Sequence, residues 1–289
     1  MAATINDGDL AIAERISCAD SAFPRLSHEA ALAVIRDLGI GAVDISVFAG
    51  YEHNPPEAVM ASPQGAAARV RERLERHQLR VADLFAILSE PYDALAVNHP
   101  DPAAREDSLW HFEQLLEFAA GIGADAVTLL PGATFEGVDE NESRTLAAAE
   151  LQRRAEIAGE QGIALGFEPH VGSVVPTPKS TLELLEQAPD VGVTLDPSHF
   201  IYLGIPEAEI DSLIPRTRHV HLRQATQGII QAPVHEGSID IARFVRALDA
   251  ADYAGFLAIE YQWERAMDFN RVDCIGETAS LRDQLLQIA

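Results

Sequence analysis

Four short apolar segments in the second half of the chain each end in residues that could bind a metal ion. They are Ala164–Glu168, Gly192–Asp196, His219–Arg223 and Phe256–Glu260. In a β-strand alternate side chains point to opposite faces, so the apolar residues of each segment share one face. The polar residues at the segment ends then share the other face. They are Glu168, Asp196, His221, Arg223 and Glu260.

Three carboxylates and one imidazole in this pattern favour a divalent cation. A carboxylate that is buried without a partner costs several kcal/mol, and a shared cation removes that cost. Oxygen-rich donors with a single nitrogen suit Mn²⁺ first, with Mg²⁺ or Co²⁺ as alternatives, whereas Zn²⁺ usually takes more nitrogen or sulfur. The predicted ligands are Glu168, Asp196, His221 and Glu260. The alternative is a buried ion-pair network in which Arg223 balances the carboxylates.

Apolar runs of strand type alternate with amphipathic helical patterns along the whole chain. The predicted strands are Arg15–Cys18, Ala42–Phe48, Val81–Leu88, Ala126–Leu130, Ile163–Glu168, Val191–Asp196, His219–Arg223 and Phe256–Glu260. The predicted helices are His28–Leu38, Ala66–Arg76, Ala104–Ala120, Glu142–Glu160, Thr181–Gln187, Glu207–Leu213, Ile239–Ala250 and Glu277–Leu286. The longer connections, including Thr226–Ser238, are predicted to be loops.

Strict alternation of strand and helix predicts parallel strands joined by right-handed crossovers. Eight such pairs in 289 residues fit a closed (β/α)₈ TIM barrel, an α/β fold, as a single domain over residues 1–289. No G-x-G-x-x-G motif follows the first strand, which disfavours an open dinucleotide-binding sheet. Barrel enzymes carry their active site at the carboxyl ends of the strands, where the candidate ligands lie.

Composition narrows the possible partners and location. The formal net charge of −24 argues against binding to nucleic acid or to an anionic membrane surface. No apolar run is long enough to predict a transmembrane helix, and the first residues lack the pattern of a signal peptide. The two cysteines, Cys18 and Cys274, suggest no disulfide framework, so we expect a cytoplasmic protein. A homo-oligomer is compatible with the sequence.

Several motifs resemble those of the xylose-isomerase-like TIM-barrel superfamily. They are Gly166-Phe-Glu-Pro-His170, Thr194-Leu-Asp-Pro-Ser-His199, His219-Val-His-Leu-Arg223 and Tyr253-Ala-Gly-Phe-Leu-Ala-Ile-Glu260. That superfamily includes sugar and sugar-phosphate isomerases and epimerases, ketose 3-epimerases, inosose dehydratases and the endonuclease IV relatives. The resemblance covers nearly the whole chain in repeat order. Barrels host many reactions, so it implies a fold more strongly than a reaction.

The resemblance also implies roles for individual residues. In the ketose 3-epimerases four metal ligands come from successive strands in the order Glu, Asp, His, Glu, which matches the four ligands predicted above. The histidine of the Asp-x-x-His motif contacts substrate oxygens in that family, which implies substrate binding by His199. His170 and Arg223 share the inward face with the ligands and are further predicted substrate contacts.

The chain departs from the family pattern after its seventh strand. It has His221-Leu-Arg-Gln224 where the family often has His-x-Lys-Asp. Gln224 replaces the aspartate, so no residue at this position can take over the role of that aspartate. The segment Pro233–Gly237 contains His235, which could contact substrate or bind a second metal. An endonuclease IV relative needs further histidines on the second and third loops to bind its zinc ions. The candidates here are His53 and His99, and neither lies in a matching motif. His219 lies one layer deeper than His221 and is predicted to be an interior residue.

Two glutamates beside one metal suit proton transfer on an α-hydroxy ketone or aldehyde. The metal acidifies the proton next to the carbonyl and stabilises the ene-diolate, while Glu168 and Glu260 remove and return the proton. The leading hypothesis is therefore a metal-dependent isomerase or epimerase of a sugar or related keto-polyol. The alternatives are a metal-dependent dehydratase of a keto-polyol, as in the inosose branch, a phosphodiester nuclease, and a non-catalytic barrel subunit.

Overall fold

Eight parallel strands close into a barrel, as the alternation of strand and helix predicts. The structure is a computed structural model that describes residues 12–288, apart from the side chains of residues 266 and 267. The barrel strands, in chain order, are β1 Ile16–Ala19, β2 Ala42–Phe48, β3 Arg80–Ile87, β4 Ala126–Leu129, β5 Ala164–Phe167, β6 Gly192–Leu195, β7 Thr217–Leu222 and β10 Leu257–Ile259. Strand β1 pairs with both β2 and β10, which closes the sheet.

Helices follow the strands. They are α1 Ile12–Arg15, α2 His28–Asp37, α3 Pro56–Ala61, α4 Pro63–His77, α5 Pro102–Ile122, α6 Glu140–Glu160, α7 Pro178–Gln187, α8 Pro197–Tyr202, α9 Glu207–Ile210, α10 Ile241–Ala250 and α11 Cys274–Leu286. Their apolar faces pack on the outward-facing strand residues and form one continuous core. Within residues 12–288, no helix combines the length and the apolar character that crossing a bilayer requires.

Two predicted elements differ from the structure. The predicted loop Thr226–Ser238 contains the second strand of a hairpin, formed by β8 Gln224–Thr226 and β9 Ile229–Ala232. Gly228 adopts a φ of 79°, which other residues rarely adopt, and so allows the tight turn between the two strands. The predicted helix Glu207–Leu213 is the shorter α9, followed by a 3₁₀ turn that contains Pro215.

The lower half of the barrel interior is filled by a polar layer around Arg218. The guanidinium of this β7 residue donates to Asp83 Oδ1 on β3 at 2.9 Å and to Thr128 Oγ1 on β4 at 2.7 Å. Its contact with Thr194 on β6 is 3.2 Å. Because Arg218 and its three partners come from four different strands, the layer joins opposite walls of the barrel.

Two glycines make room for this arginine. A Cβ atom at Gly166 would lie 2.6 Å from Arg218 Nε, and one at Gly192 would lie 2.8 Å from Arg218 Cβ. Both distances are shorter than packed atoms tolerate. Glycine at these two positions therefore permits an arginine in the barrel interior.

We predict that Gly166→Ala destabilises the protein. The added methyl group must push Arg218 away from Asp83 and Thr128, and overpacking of this kind costs about 1–3 kcal/mol. Chemical denaturation, monitored by circular dichroism, measures the loss.

Gly159→Ala is the matched control. Gly159 lies in α6 with no atom within 4 Å of an added Cβ, so alanine there should be neutral or stabilising by about 0.5–1 kcal/mol. Equal stability of the wild type and Gly166→Ala would contradict the packing argument.

Candidate active site and metal centre

The structure brings the four predicted metal ligands together at the carboxyl ends of β5, β6, β7 and β10. Glu168, Asp196 and Glu260 each follow directly on their strand, and His221 lies near the end of β7. All four side chains are buried. Asp196 also begins α8, where its Oδ1 accepts a hydrogen bond from the backbone N–H of Ser198 at 2.8 Å.

His221 lies between the two glutamates. Its Nδ1 is 2.6 Å from Glu168 Oε1 and 3.7 Å from Glu260 Oε2. The two carboxylates therefore approach the same imidazole nitrogen, although they come from strands that are not neighbours in the sheet.

Arg223 forms ion pairs with Asp196 and Glu260. Its Nη2 donates to Asp196 Oδ2 at 2.8 Å, and its Nη1 lies 3.1 Å from Glu260 Oε2. Nη2 also lies 3.1 Å from His199 Nε2. The arginine that was predicted to bind substrate thus pairs with two predicted ligands, as the ion-pair alternative anticipated, while it also lines the cavity above them.

The donor atoms fit a divalent cation. Two overlapping groups have ligand atoms within 4.8 Å of one another: Glu168 with His221 and Glu260, and Glu168 with Asp196 and His199. The three buried carboxylates face a single permanent cation, Arg223, so negative charge remains to be balanced. A divalent cation would balance it, held by the predicted ligands with His199 as a further donor.

The environment separates the pKa values of the two glutamates. Burial by itself would raise the pKa of Glu168, but the hydrogen bond and the charge of His221 lower it to about 2. Burial raises the pKa of Glu260 to about 7, against the opposing charges of His221 and Arg223. Burial opposes protonation of His221, yet Glu260, Asp44 and Glu168 together raise its pKa well above the usual value.

His170 and His199 lie side by side above the carboxylates. Their ring centroids are 5.9 Å apart, and both line the cavity. Burial lowers the pKa of His199 to about 4 and also lowers that of His170. Neutral imidazoles in this position can exchange hydrogen bonds with substrate hydroxyls.

A cavity of about 480 Å³ opens above the carboxylates. Five aromatic residues form part of its wall, which we call the aromatic wall, a feature that the sequence did not reveal. The aromatic residues are Phe48, Tyr51, Phe85, Tyr92 and Phe269. Four of them, all except Phe269, come from β2, β3 and the loops that follow these strands, so their place on or after these strands was the available signal.

The four other histidines considered in the sequence analysis lie outside the group of predicted ligands. His53 Nε2 is 2.9 Å from the carbonyl oxygen of Leu26, and His99 Nδ1 accepts from the backbone N–H of Asp101 at 3.1 Å. His235 is exposed beside Glu236. His219 is buried below His221, against a carboxylate of β2.

The match to a family of known proteins extends over most of the barrel. A family model described as xylose isomerase-like TIM barrel matches residues 32–284. The chain belongs to this family. The matched residues include the four strands that carry the polar cluster described above.

Individual relatives are more distant. Inosose dehydratase from Clostridium perfringens is 26% identical over 152 residues, which cover 45% of this chain and 50% of that protein. The chain thus spans about half the length of the curated relatives it matches.

Two solved structures share the fold. D-allulose 3-epimerase from Methylomonas sp. superimposes with a TM-score of 0.73 at 18% identity, covering 95% of this chain and 98% of that chain. A xylose isomerase-like TIM barrel protein from Mycobacterium smegmatis, in complex with magnesium, has a TM-score of 0.69 at 17% identity, with 90% and 87% coverage.

We predict that Mn²⁺ binds more tightly as the pH rises. In the metal-free protein His221 and Glu260 hold protons near neutral pH, since both pKa values are raised. A metal ion must displace these protons, so affinity should increase about tenfold or more from about pH 6 to about pH 8. Isothermal titration calorimetry in two buffers of different ionisation enthalpy measures both the affinity and the protons released.

Glu260→Gln is the comparison, because glutamine retains an oxygen donor without a titrating proton. This variant should bind Mn²⁺ more weakly and with a smaller dependence on pH. An affinity of the wild type that is flat over the same range would contradict the protonation states assigned here.

Proposed function

We propose that the protein is a divalent-metal-dependent isomerase or epimerase of a sugar or related keto-polyol. One observation carries the proposal: Glu168 and Glu260 both approach His221 Nδ1 at the floor of a cavity of about 480 Å³. Such a cavity accommodates a monosaccharide, and its floor offers two carboxylates for proton transfer.

The positions of the two glutamates, with His221 between them, suggest that one removes the proton and the other returns it. Glu168 stays ionised at neutral pH and would accept a proton from the carbon next to the substrate carbonyl. Glu260 lies 3.7 Å from the same His221 nitrogen and would return a proton, either to the same carbon or to its neighbour. A divalent cation held by Glu168, Asp196, His221 and Glu260 would supply polarisation of the carbonyl and stabilisation of the negative charge.

The other residues of the cavity would orient the substrate. His170 and His199 present imidazoles to the substrate. Gln262, which lies in the cavity wall, donates a hydrogen bond from Nε2 to Glu260 Oε1 over 3.2 Å. Arg223 holds Asp196 and Glu260 and is proposed to contact a substrate oxygen from the same position. The aromatic wall excludes water and can pack against the C–H face of a sugar ring.

The outer part of the site favours an uncharged substrate. A cleft of about 880 Å³ adjoins the cavity and shares Tyr51 and Tyr92 with it. Its charged side chains are Arg25, Arg265, Glu52, Glu90 and Glu264. Three carboxylates outnumber two guanidinium groups, which disfavours a phosphate group at this end of the substrate.

Solvent-exchange NMR tests the proposal directly. Each of a panel of unphosphorylated keto-sugars is incubated in D₂O with the Mn²⁺-loaded protein. The protein and its Mn²⁺ are then removed, and NMR spectra of the sugar are recorded. Deuterium at the carbon next to the carbonyl, together with a new epimer or aldose, supports the proposal. No exchange on any sugar, or a protein that recruits no metal when Mn²⁺ is offered, would favour a non-catalytic barrel.

Dehydration of a keto-polyol is the second candidate, favoured by the similarity to inosose dehydratase over half its length. The same pair of glutamates could remove a proton and assist loss of a hydroxyl from the next carbon. In the same experiment, loss of one water and appearance of an unsaturated or diketone product would assign this reaction instead.

We predict that Glu168→Gln and Glu260→Gln each lower kcat by about 100-fold or more, because positioned acid–base groups contribute about 10²–10⁴-fold. Each should also weaken metal binding, since each loses an anionic donor. Steady-state kinetics and metal content after dialysis measure the two effects.

Glu150→Gln is the matched control. Glu150 is a largely buried glutamate of α6 that pairs with Arg154 at 2.7 Å and does not line the cavity, so its replacement should leave turnover unchanged. If His199→Asn removes the metal while Glu260→Gln keeps metal and full turnover, the ligands are instead Asp196, His199 and His221.

We predict that a phosphorylated keto-sugar is a poorer substrate than its free form. The excess of carboxylates in the outer cleft should lower kcat/KM for the phosphate ester by about tenfold or more at low salt, and added salt should reduce the difference. A phosphate ester that is the better substrate would contradict this assignment.

A further inference from the structure

A buried carboxylate on β2 lies behind His221, on the side away from the glutamates. Oδ2 of Asp44 is 3.4 Å from His221 Nε2 and 2.5 Å from His219 Nε2. Its other oxygen, Oδ1, accepts a hydrogen bond from Ser17 Oγ on β1 at 2.9 Å. Strands β1 and β10 separate β2 from β7 in the sheet, so Asp44 reaches His221 across the barrel interior.

The two nitrogens of His221 therefore face different groups. Nδ1 faces Glu168 and Glu260, which belong to the proposed metal site. Among the described residues Nε2 has no aligned hydrogen-bond partner, and it is fully buried. A buried N–H needs an acceptor, and the carboxylate of Asp44 is the group placed to provide one.

A histidine binds a metal through a nitrogen that carries no proton. The remaining proton must then lie on the opposite nitrogen, and a carboxylate behind the ring both fixes that tautomer and orients the ring. For His221 the metal-facing atom is Nδ1, so the proton belongs on Nε2, towards Asp44.

We propose that Asp44 is a positioning residue that holds the proton of His221 on Nε2 and so directs the Nδ1 lone pair towards the metal. The proposal rests on the metal-dependent function proposed above. Ser17 and His219 complete the arrangement, because they fix the two oxygens of Asp44 from opposite sides. The side chains of Ser17, Asp44 and His219 are all buried.

A second metal between Asp44, His219 and His221 is the competing interpretation, since their donor atoms also lie within 4.8 Å of one another. The distance of 2.5 Å between Asp44 Oδ2 and His219 Nε2 fits a hydrogen bond. A metal between two such atoms would hold them farther apart, because each bond to it is about 2.0–2.2 Å long. The arrangement therefore favours the hydrogen-bonded pair.

Asp44→Asn and Asp83→Asn test the proposal as a matched pair. Both aspartates are buried in the barrel interior on neighbouring strands, but Asp83 pairs with Arg218 in the lower layer. Asp44→Asn should raise the Kd for Mn²⁺ about 10–100-fold, which is the usual effect of removing such a partner. Asp83→Asn should leave this Kd within about threefold of the wild type, whatever its effect on stability.

Nitrogen-15 NMR of the Zn²⁺-loaded protein supplies a readout that stability does not affect. The His221 signals are assigned by their disappearance in His221→Gln. The wild type should show a proton on Nε2 with the low-field shift of a carboxylate hydrogen bond, and Asp44→Asn should lose that shift. Ser17→Ala is a milder second variant, which should weaken Mn²⁺ binding in the same direction if Asp44→Asn does not fold.

Three results would overturn the proposal. One is a wild-type affinity in Asp44→Asn with an unchanged His221 spectrum. The second is binding of two metals per chain with loss of one in Asp44→Asn, which would make Asp44 a ligand. The third is a wild type that binds neither Mn²⁺ nor Zn²⁺, which would refute the metal-dependent function itself. This result differs from the first, in which the metal binds equally well with and without the Asp44 carboxylate.

Discussion

The burial of three carboxylates at one end of a closed barrel is the constraint on which the rest of the site depends. Glu168, Asp196 and Glu260 are nearly inaccessible to water, and an unpaired buried charge costs several kcal/mol. Arg223 and a protonated His221 balance part of this charge in the metal-free protein. With a divalent cation in place of the His221 proton, the cation and Arg223 together would balance all three. The same residues thus pair with one another and supply the donors that a divalent cation would need.

The barrel interior beneath this cluster is built in layers. The lowest layer joins Arg218 to Asp83 and two threonines, and the next joins Ser17, Asp44 and His219. The hydrogen bonds of each layer join strands from different parts of the barrel wall. Because every layer crosses the barrel, the ligands above it are held by several strands at once, which limits their movement when charge changes.

The groups proposed for proton transfer and those proposed for substrate choice lie in different parts of the molecule. The acidic cluster lies on strand ends of the second half of the barrel, whereas the aromatic wall and the outer cleft come mainly from the first half and its loops. Barrels of this family can therefore keep one ligand arrangement while the loops change. Barrels carry different reactions through different loops, so the fold by itself does not assign the reaction.

The sequence by itself determined the barrel and the inward-facing residues. Strand alternation has a period of two, so Glu168, His221 and Glu260 could be assigned to the interior from local pattern. The predicted strand Ala42–Phe48 contains Asp44, but no local pattern gives this residue a partner. Only the tertiary structure decided that Asp44 meets His219 and His221, that Arg223 pairs with two candidate ligands, and that aromatic residues of the first strands form the cavity wall. These contacts join residues far apart in the chain, and they depend on how the closed sheet sets the register of each strand, which no local pattern encodes.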